Sequence, residues 1–165
     1  MEIYLMQHGL ALSAEENAER PLSQAGIQGI KATGAAIKRQ GLSFDLILHS
    51  PKKRARQTAA LIAEMINFPY SDLTETPLLL PQSSAEEVVG FLARNKMEQK
   101  VLLVGHLPLL PVLAARLLNE EANVGIRFEN GGLCRIDVSA WNPAAAELVY
   151  LLTADQLRLT VFHGS

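Results

Sequence analysis

The sequence predicts an α/β fold: one three-layer α/β/α domain over residues 1–165, its sheet mainly parallel and covered by helices on both faces. Three observations carry this reading. Short apolar runs alternate with longer segments whose apolar residues recur at helical spacing. Aliphatic residues abound while aromatics make up only 5% of the chain, as suits a sheet buried on both sides. Finally, two apolar runs end abruptly, in Gln7-His8-Gly9 and in Gly105-His106. Open α/β sheets place their chemistry outside the carboxyl ends of their strands. A chain of 165 residues is long enough for a substantial core and reads as one domain.

Ile3 to Met6 is a short apolar run and reads as a buried strand. Ser13 to Arg20 is polar and acidic, a loop over the end of that strand. Pro21-Leu22-Ser23 opens a helix with Ser23 as N-cap, Ile27, Ile30, Gly34 and Ile37 follow at helical spacing, and Gly41 stops it. Asp45 to His49 is a second strand. Ser50-Pro51 then starts a helix, Ser50 as cap and Pro51 in its first position, with Ala55, Thr58, Ala59, Ile62 and Ile66 as the inward stripe. Asn67 to Pro81 reads as irregular.

Ser84 and Glu87 have capping-box spacing before a short helix with Val88, Phe91 and Leu92. Val101 to Val104 is the third buried strand. Leu107 to Leu118 reads as a helix that tolerates Pro108 and Pro111 because both fall in its first turn. Leu133 to Val138 and Leu148 to Leu152 read as two more strands, an antiparallel addition joined across Trp141-Asn142-Pro143, with Trp141 as a packed loop anchor.

Composition excludes several function classes. A net charge of −2 argues against nucleic acid as the main ligand. Cys134 is the only cysteine, which rules out an intrachain disulfide and a thiolate metal cluster; it reads as a buried strand thiol. The first strand starts at residue 2 or 3, leaving no room for a signal peptide, and no apolar run reaches membrane-spanning length. A cytoplasmic protein with no membrane association is expected.

Candidate chemistry gathers at one sheet edge. In a parallel sheet both Gly-His ends lie on the same edge, so His8 and His106 can converge. Gly9 lets the backbone turn sharply and approach a ligand. Arg54 lies one turn into the helix after the second strand, on that same edge, and Arg20 in the loop beyond the first strand. Two histidines and two arginines around one edge suit a phosphoryl group: arginine supplies a planar fork of donors, and a neutral imidazole is a nucleophile. No ligand cluster for a metal, no phosphate-cradling glycine loop and no Ser-His-Asp arrangement accompanies them, so neither metal nor cofactor is called for.

Other tempting residues have plainer readings. Lys52 and Lys53 belong to a solvated helix face, His49 is structural, and His163 lies in a C-terminal tail. Asn130-Gly131-Gly132 reads first as a turn; its amides lining the active edge is the lesser reading.

Gln7-His8-Gly9, Arg20-Pro21-Leu22-Ser23 with Gly26, Ser50-Pro51 followed by Arg54-Ala55 and Gln57-Thr58-Ala59, and Gly105-His106 stand in an order and spacing that is similar to the histidine phosphatase superfamily, the phosphoglycerate-mutase-like fold. The short length and the Arg-Pro-Leu-Ser stretch resemble its SixA-type phosphohistidine phosphatases most. The resemblance implies His8 as phosphoryl acceptor and Arg54 and His106 as phosphate-pocket residues, with Arg20 a further phosphate or substrate contact. The chain departs from the family in having Gln7 where Arg-His-Gly is usual. Gln keeps an amide donor but loses the charge and the bidentate fork. Larger members use a loop glutamate as acid; Glu75, Glu86 and Glu87 lie near that region without a matching context, and Glu86 and Glu87 also suit a helix first turn.

The implied function is a metal-independent phosphatase acting through phospho-His8, with a phosphohistidine-containing partner protein as substrate. The chain is too short to carry the lid insertions that enclose small metabolites in larger relatives. A phosphohistidine also leaves as an imidazole that can be protonated at its distal nitrogen, which asks less of an enzyme acid than an alkoxide does. The alternatives are a phosphatase for small sugar or nucleotide phosphate esters, and a non-catalytic phosphate- or phosphoprotein-binding module, motivated by Gln7.

Overall fold

The computed structural model describes residues 1–95, 99–118, 125–141 and 144–159. The strands are β1 (Glu2–Gln7), β2 (Leu46–His49), β3 (Thr74–Glu75), β4 (Lys100–Gly105), β5 (Leu133–Trp141) and β6 (Ala144–Leu152). The helices are α1 (Gln24–Arg39), α2 (Lys53–Ile66), α3 (Ala85–Arg94), α4 (Leu109–Leu117) and α5 (Ala154–Leu159). One sheet runs β3-β2-β4-β1-β5-β6. Its β3, β2, β4 and β1 pair in parallel, β5 adds antiparallel to β1, and β6 antiparallel to β5. The predicted α/β/α class and the antiparallel addition are therefore observed.

Strand alternation assigns the two faces. Ile3 and Leu5 pack with Val101 and Leu103 against α3 and α4. Tyr4 and Met6 point the other way, with Leu102 and Val104, against α1, α2 and α5. Every residue from Ile3 to Met6 is fully buried, as a central strand covered on both faces requires. Cys134 is buried in β5 as expected.

Ser23 caps α1, its side chain accepting the Gly26 N–H at 3.0 Å, and Gly41 follows the helix with φ +68°. Gly26 admits no side chain: a Cβ there would lie 2.0 Å from the Leu10 carbonyl oxygen. That contact presses the chain after β1 onto the start of α1.

Other local expectations are corrected. The α2 helix begins at Lys53 with Lys52 as N-cap, so Ser50 is not its cap and Pro51 is not its first residue. Ser84 stands at the N-cap of α3 but makes no side-chain cap bond, so the capping box does not form. The α4 helix starts at Leu109 after Pro108, two residues later than the pattern suggested, and keeps Pro111 in its first turn. The stretch from Asn67 to Pro81 is not wholly irregular: it holds two single 3₁₀ turns and the two-residue strand β3, which exists by pairing with β2. Trp141 ends β5 and packs on the core instead of anchoring a loop. Asn142, Pro143 and the His163 tail lie outside the described residues. No helix among the described residues is long and apolar enough to cross a membrane.

Candidate active site

The parallel pairing of β1 with β4 puts Gln7 opposite Gly105, so both strands end at one level. The histidines that follow them come together with ring centroids 4.9 Å apart and planes tilted by 57°. The His8 N–H donates to the Gly105 carbonyl at 3.1 Å, locking one turn to the other.

The His8 ring has its tautomer fixed by its partners. Arg54 Nε lies 3.0 Å from His8 Nε2, and a guanidinium only donates, so Nε2 carries the lone pair. Nδ1 then carries the proton and donates to the Gly9 carbonyl at 2.7 Å. Burial pulls the His8 pKa down to about 4, against the opposing pull of the Gly9 carbonyl and with help from Arg54 and Arg20. Burial likewise lowers His106 to about 3, with His8, Arg54, Lys52 and Arg20 acting in the same direction. Both imidazoles are neutral at neutral pH.

Arg54 is the second residue of α2 and is buried, and its own pKa is lowered by that burial and by Arg20. One turn along, Thr58 Oγ1 accepts the Gly9 N–H at 3.0 Å and donates to the Arg54 carbonyl at 2.7 Å. Gln57 Oε1 accepts the Leu22 N–H at 2.8 Å. Two segments, the end of β1 and the entry to α1, are thus tied to α2. Arg20 adopts φ 48°, the left-handed region that side chains disfavour, and its Nε donates to the Leu12 carbonyl at 3.3 Å.

Sequence reasoning missed two residues that touch the histidines. Ser50, fully buried, places its Oγ 2.9 Å from His106 Nε2. The same Oγ accepts the Lys52 N–H at 3.3 Å. Asn130 Nδ2 donates to the His8 carbonyl at 2.7 Å. Ser50-Pro51 carries the same letters as a helix start, which hid the first. Nothing in the chain pairs Asn130 with His8 before the fold is known. The backbone amides of Gly131 and Gly132 are spent on Gln7 O and Glu129 O, so they do not line the pocket as the lesser reading had it.

A cavity of about 290 Å³ opens at this point, lined by His8, His106, Arg20, Arg54, Gln7 and Asn130 with apolar Leu10, Ala11 and Leu107 at its rim. Among the predicted site residues only Gly9 is absent from the lining: its N–H goes to Thr58 and its carbonyl to the His8 ring. Gln7 Oε1 is buried and has no hydrogen-bond partner, and the same holds for His106 Nδ1. Among the described residues no carboxylate lines the cavity. Glu75 sits exposed on β3, Glu86 pairs with Arg116, and Glu87 faces a separate cavity beside α3. The lining therefore offers two guanidinium groups, two neutral imidazoles and two carboxamides, a donor set for a compact anion next to a nucleophilic nitrogen. Among the described residues no three His, Cys, Asp or Glu side chains come together as a metal-binding group.

Comparison with known proteins gives the same picture. The family model for the histidine phosphatase superfamily (branch 1) matches residues 3–77. An uncharacterised protein of Picosynechococcus is 34% identical over 138 residues, covering 81% of this chain and 82% of that one. The phosphohistidine phosphatase SixA of Escherichia coli is 32% identical over 124 residues, covering 73% of this chain and 76% of that one. A solved structure of the protein histidine phosphatase SixA complexed with tungstate superposes with a TM-score of 0.82 at 26% identity, covering 95% of this chain and 99% of that one.

Proposed function

The chain belongs to the histidine phosphatase superfamily and is SixA-like, and from that premise we propose a phosphatase that removes the phosphoryl group from phosphohistidine in a partner protein, by way of a covalent phospho-His8. The observation that carries the reading is the tautomer of His8: its Nε2 lone pair is held 3.0 Å from Arg54 Nε, at a cavity with a second arginine.

In the first step Nε2 attacks phosphorus. An N–P bond forms, the bond to the leaving group breaks, and its electron pair departs with that group. The Arg54 donor transfers from the nitrogen to a phosphoryl oxygen, so nucleophile release and charge stabilisation are one movement. His8 becomes a phosphoimidazolium whose positive charge is relieved through Nδ1–H and the Gly9 carbonyl, 2.7 Å away. His106 lines the cavity beside His8, its ring held through Nε2 by Ser50 Oγ at 2.9 Å. In the second step water attacks phosphorus, the N–P electron pair returns to Nε2, and the water proton stays with the phosphate released. Arginine and histidine donors supply the charge stabilisation throughout, so the chemistry needs no metal.

The choice of leaving group is supported by the lining. An alkoxide needs a proton in the transition state, and among the described residues no carboxylate lines the His8 cavity to give it, Glu129 and Asp155 bordering the neighbouring one. An imidazole protonated at its distal nitrogen leaves neutral without one. The test is a substrate panel in chelator, comparing a phosphohistidine protein with sugar and nucleotide phosphates. Preferential turnover of the phosphohistidine protein is expected. Preferential turnover of an ester would replace this reading with that of a small-molecule phosphatase, and binding without turnover would make the protein a phosphate-recognition module.

A further inference from the structure

Two large apolar side chains stand exposed at the mouth of the His8 cavity. Leu10 is 51% and Leu107 44% exposed, and among the described residues they are the two exposed large apolar side chains that border this cavity. They come from separate strand ends, Leu10 two residues beyond His8 and Leu107 directly after His106. Neither belongs to either core cluster. Single exposed leucines are ordinary, but two brought to one nucleophile by different segments form a patch, and such patches mark binding.

The backbone beneath both is fastened. The Leu10 carbonyl accepts the Ser23 N–H at 2.9 Å and the Ser23 hydroxyl at 3.2 Å. The turn that holds Leu107 is closed by the Leu110 N–H, which donates to the His106 carbonyl at 3.1 Å. A lip already ordered loses little freedom when a ligand covers it.

Both leucines also line an adjoining cavity of about 480 Å³, bounded further by Phe128, Asn130 and the start of α5. Its charged groups cancel. Arg127 pairs with Glu129 at 3.5 Å and Arg158 with Asp155 at 2.9 Å, and all four lie in its lining. The His8 cavity differs, with Arg20 and Arg54 and, among the described residues, no carboxylate. One cavity therefore suits a phosphoryl group, and the other has no net charge to hold a second one. A neutral stretch of polypeptide, with main-chain donors and acceptors, matches the paired walls, and an apolar side chain matches the lip.

We propose that Leu10 and Leu107 are specificity-determining residues that seat an apolar side chain adjacent to the phosphohistidine of a protein substrate, whose chain runs on into the adjoining cavity. The inference rests on the phosphohistidine reading above and adds the local sequence that the site selects.

The experiment uses acetylated pentapeptides with a central phosphohistidine, flanked on both sides by leucine or on both sides by glycine. They are assayed on the wild type and on Leu10→Ser, Leu107→Ser, Leu10→Met and Leu107→Met. The readout is the ratio of kcat/KM values, leucine peptide over glycine peptide. The glycine peptide, measured on the same protein, corrects for any change in the His8 cavity itself. The wild type is expected to favour the leucine peptide about ten-fold, the discrimination a modest apolar contact provides. The preference should come from KM, shrink toward one in both serine variants and persist in both methionine variants, which keep an apolar lip. Equal rates on the two peptides in the wild type overturn the role of the lip and leave the phosphatase reading standing. A preference undiminished in both serine variants overturns the assignment to these leucines. A wild type that consumes p-nitrophenyl phosphate but neither peptide overturns the phosphohistidine reading, and the lip's role with it.

Discussion

Arg54 Nε and His8 Nε2 meet at 3.0 Å, and this single contact fixes both the tautomer of His8 and the position of the Arg54 donor. His8 is therefore expected to carry phosphate during turnover. Neutral or alkaline quench followed by peptide mapping should find an acid-labile adduct on the peptide that contains His8, absent in His8→Ala. Full turnover by His8→Ala would remove the nucleophile from the mechanism.

Arg54→Ala removes a donor set that costs nothing to organise at the moment of reaction, so a loss of about 10²-fold or more in kcat/KM is expected. Lys52→Ala is the control. Its side chain is exposed at the N-cap of α2 and should change the rate little. Steady-state assays of the two variants side by side decide whether the arginine has the special position assigned to it.

Thr58 is a buried hydroxyl that serves two backbone groups at once, the Gly9 N–H and the Arg54 carbonyl. Thr58→Val keeps the shape and removes both bonds. Leaving the Gly9 N–H unpaired should cost about 1–3 kcal/mol of stability, visible as a lower urea midpoint. Because Gly9 also carries the His8 ring through its carbonyl, kcat should fall while the affinity for inorganic phosphate, set by Arg54 and Arg20, falls less.

The pH dependence has a definite sign. The folded pKa values of His8, about 4, and His106, about 3, lie below the ordinary value of 6.5, so the folded protein binds fewer protons than the unfolded chain between them. The contribution of these groups to stability is fully present above pH 6.5 and is lost as pH falls toward 4. Calorimetry should show Tm declining over that interval, and the decline should be smaller in His106→Gln. Ring-proton NMR of the free protein should find both imidazoles still neutral at pH 5.5.

The fold was legible where one local rule had no competitor. Ile3–Met6 and Val101–Val104 are continuous apolar runs, and burial on both faces is the simplest physics for such runs. His8, His106 and Arg54 followed from the strand ends and the resemblance. What escaped was set by partners distant in sequence. Ser50 satisfies helix-start statistics yet spends its hydroxyl on a histidine 56 residues away. Asn130 reaches His8 across 122 residues. The α5 helix has six residues and depends on packing against α1, so its own periodicity is too short to announce it. The β3 strand is only two residues, created by its neighbour.

The central strand has a temporal consequence. β1 precedes its sheet neighbours in the chain, β4 beginning at Lys100 and β5 at Leu133, and the amide that holds the His8 carbonyl comes from Asn130. During synthesis at about 5–20 residues per second the strand waits several seconds or more for either edge to be covered. Its fully apolar run is then a natural holding site for chaperones, and long-range pairing of this kind slows folding further. A ribosome-tethered chain ending before residue 130 would therefore carry His8 without the Asn130 clasp on its carbonyl.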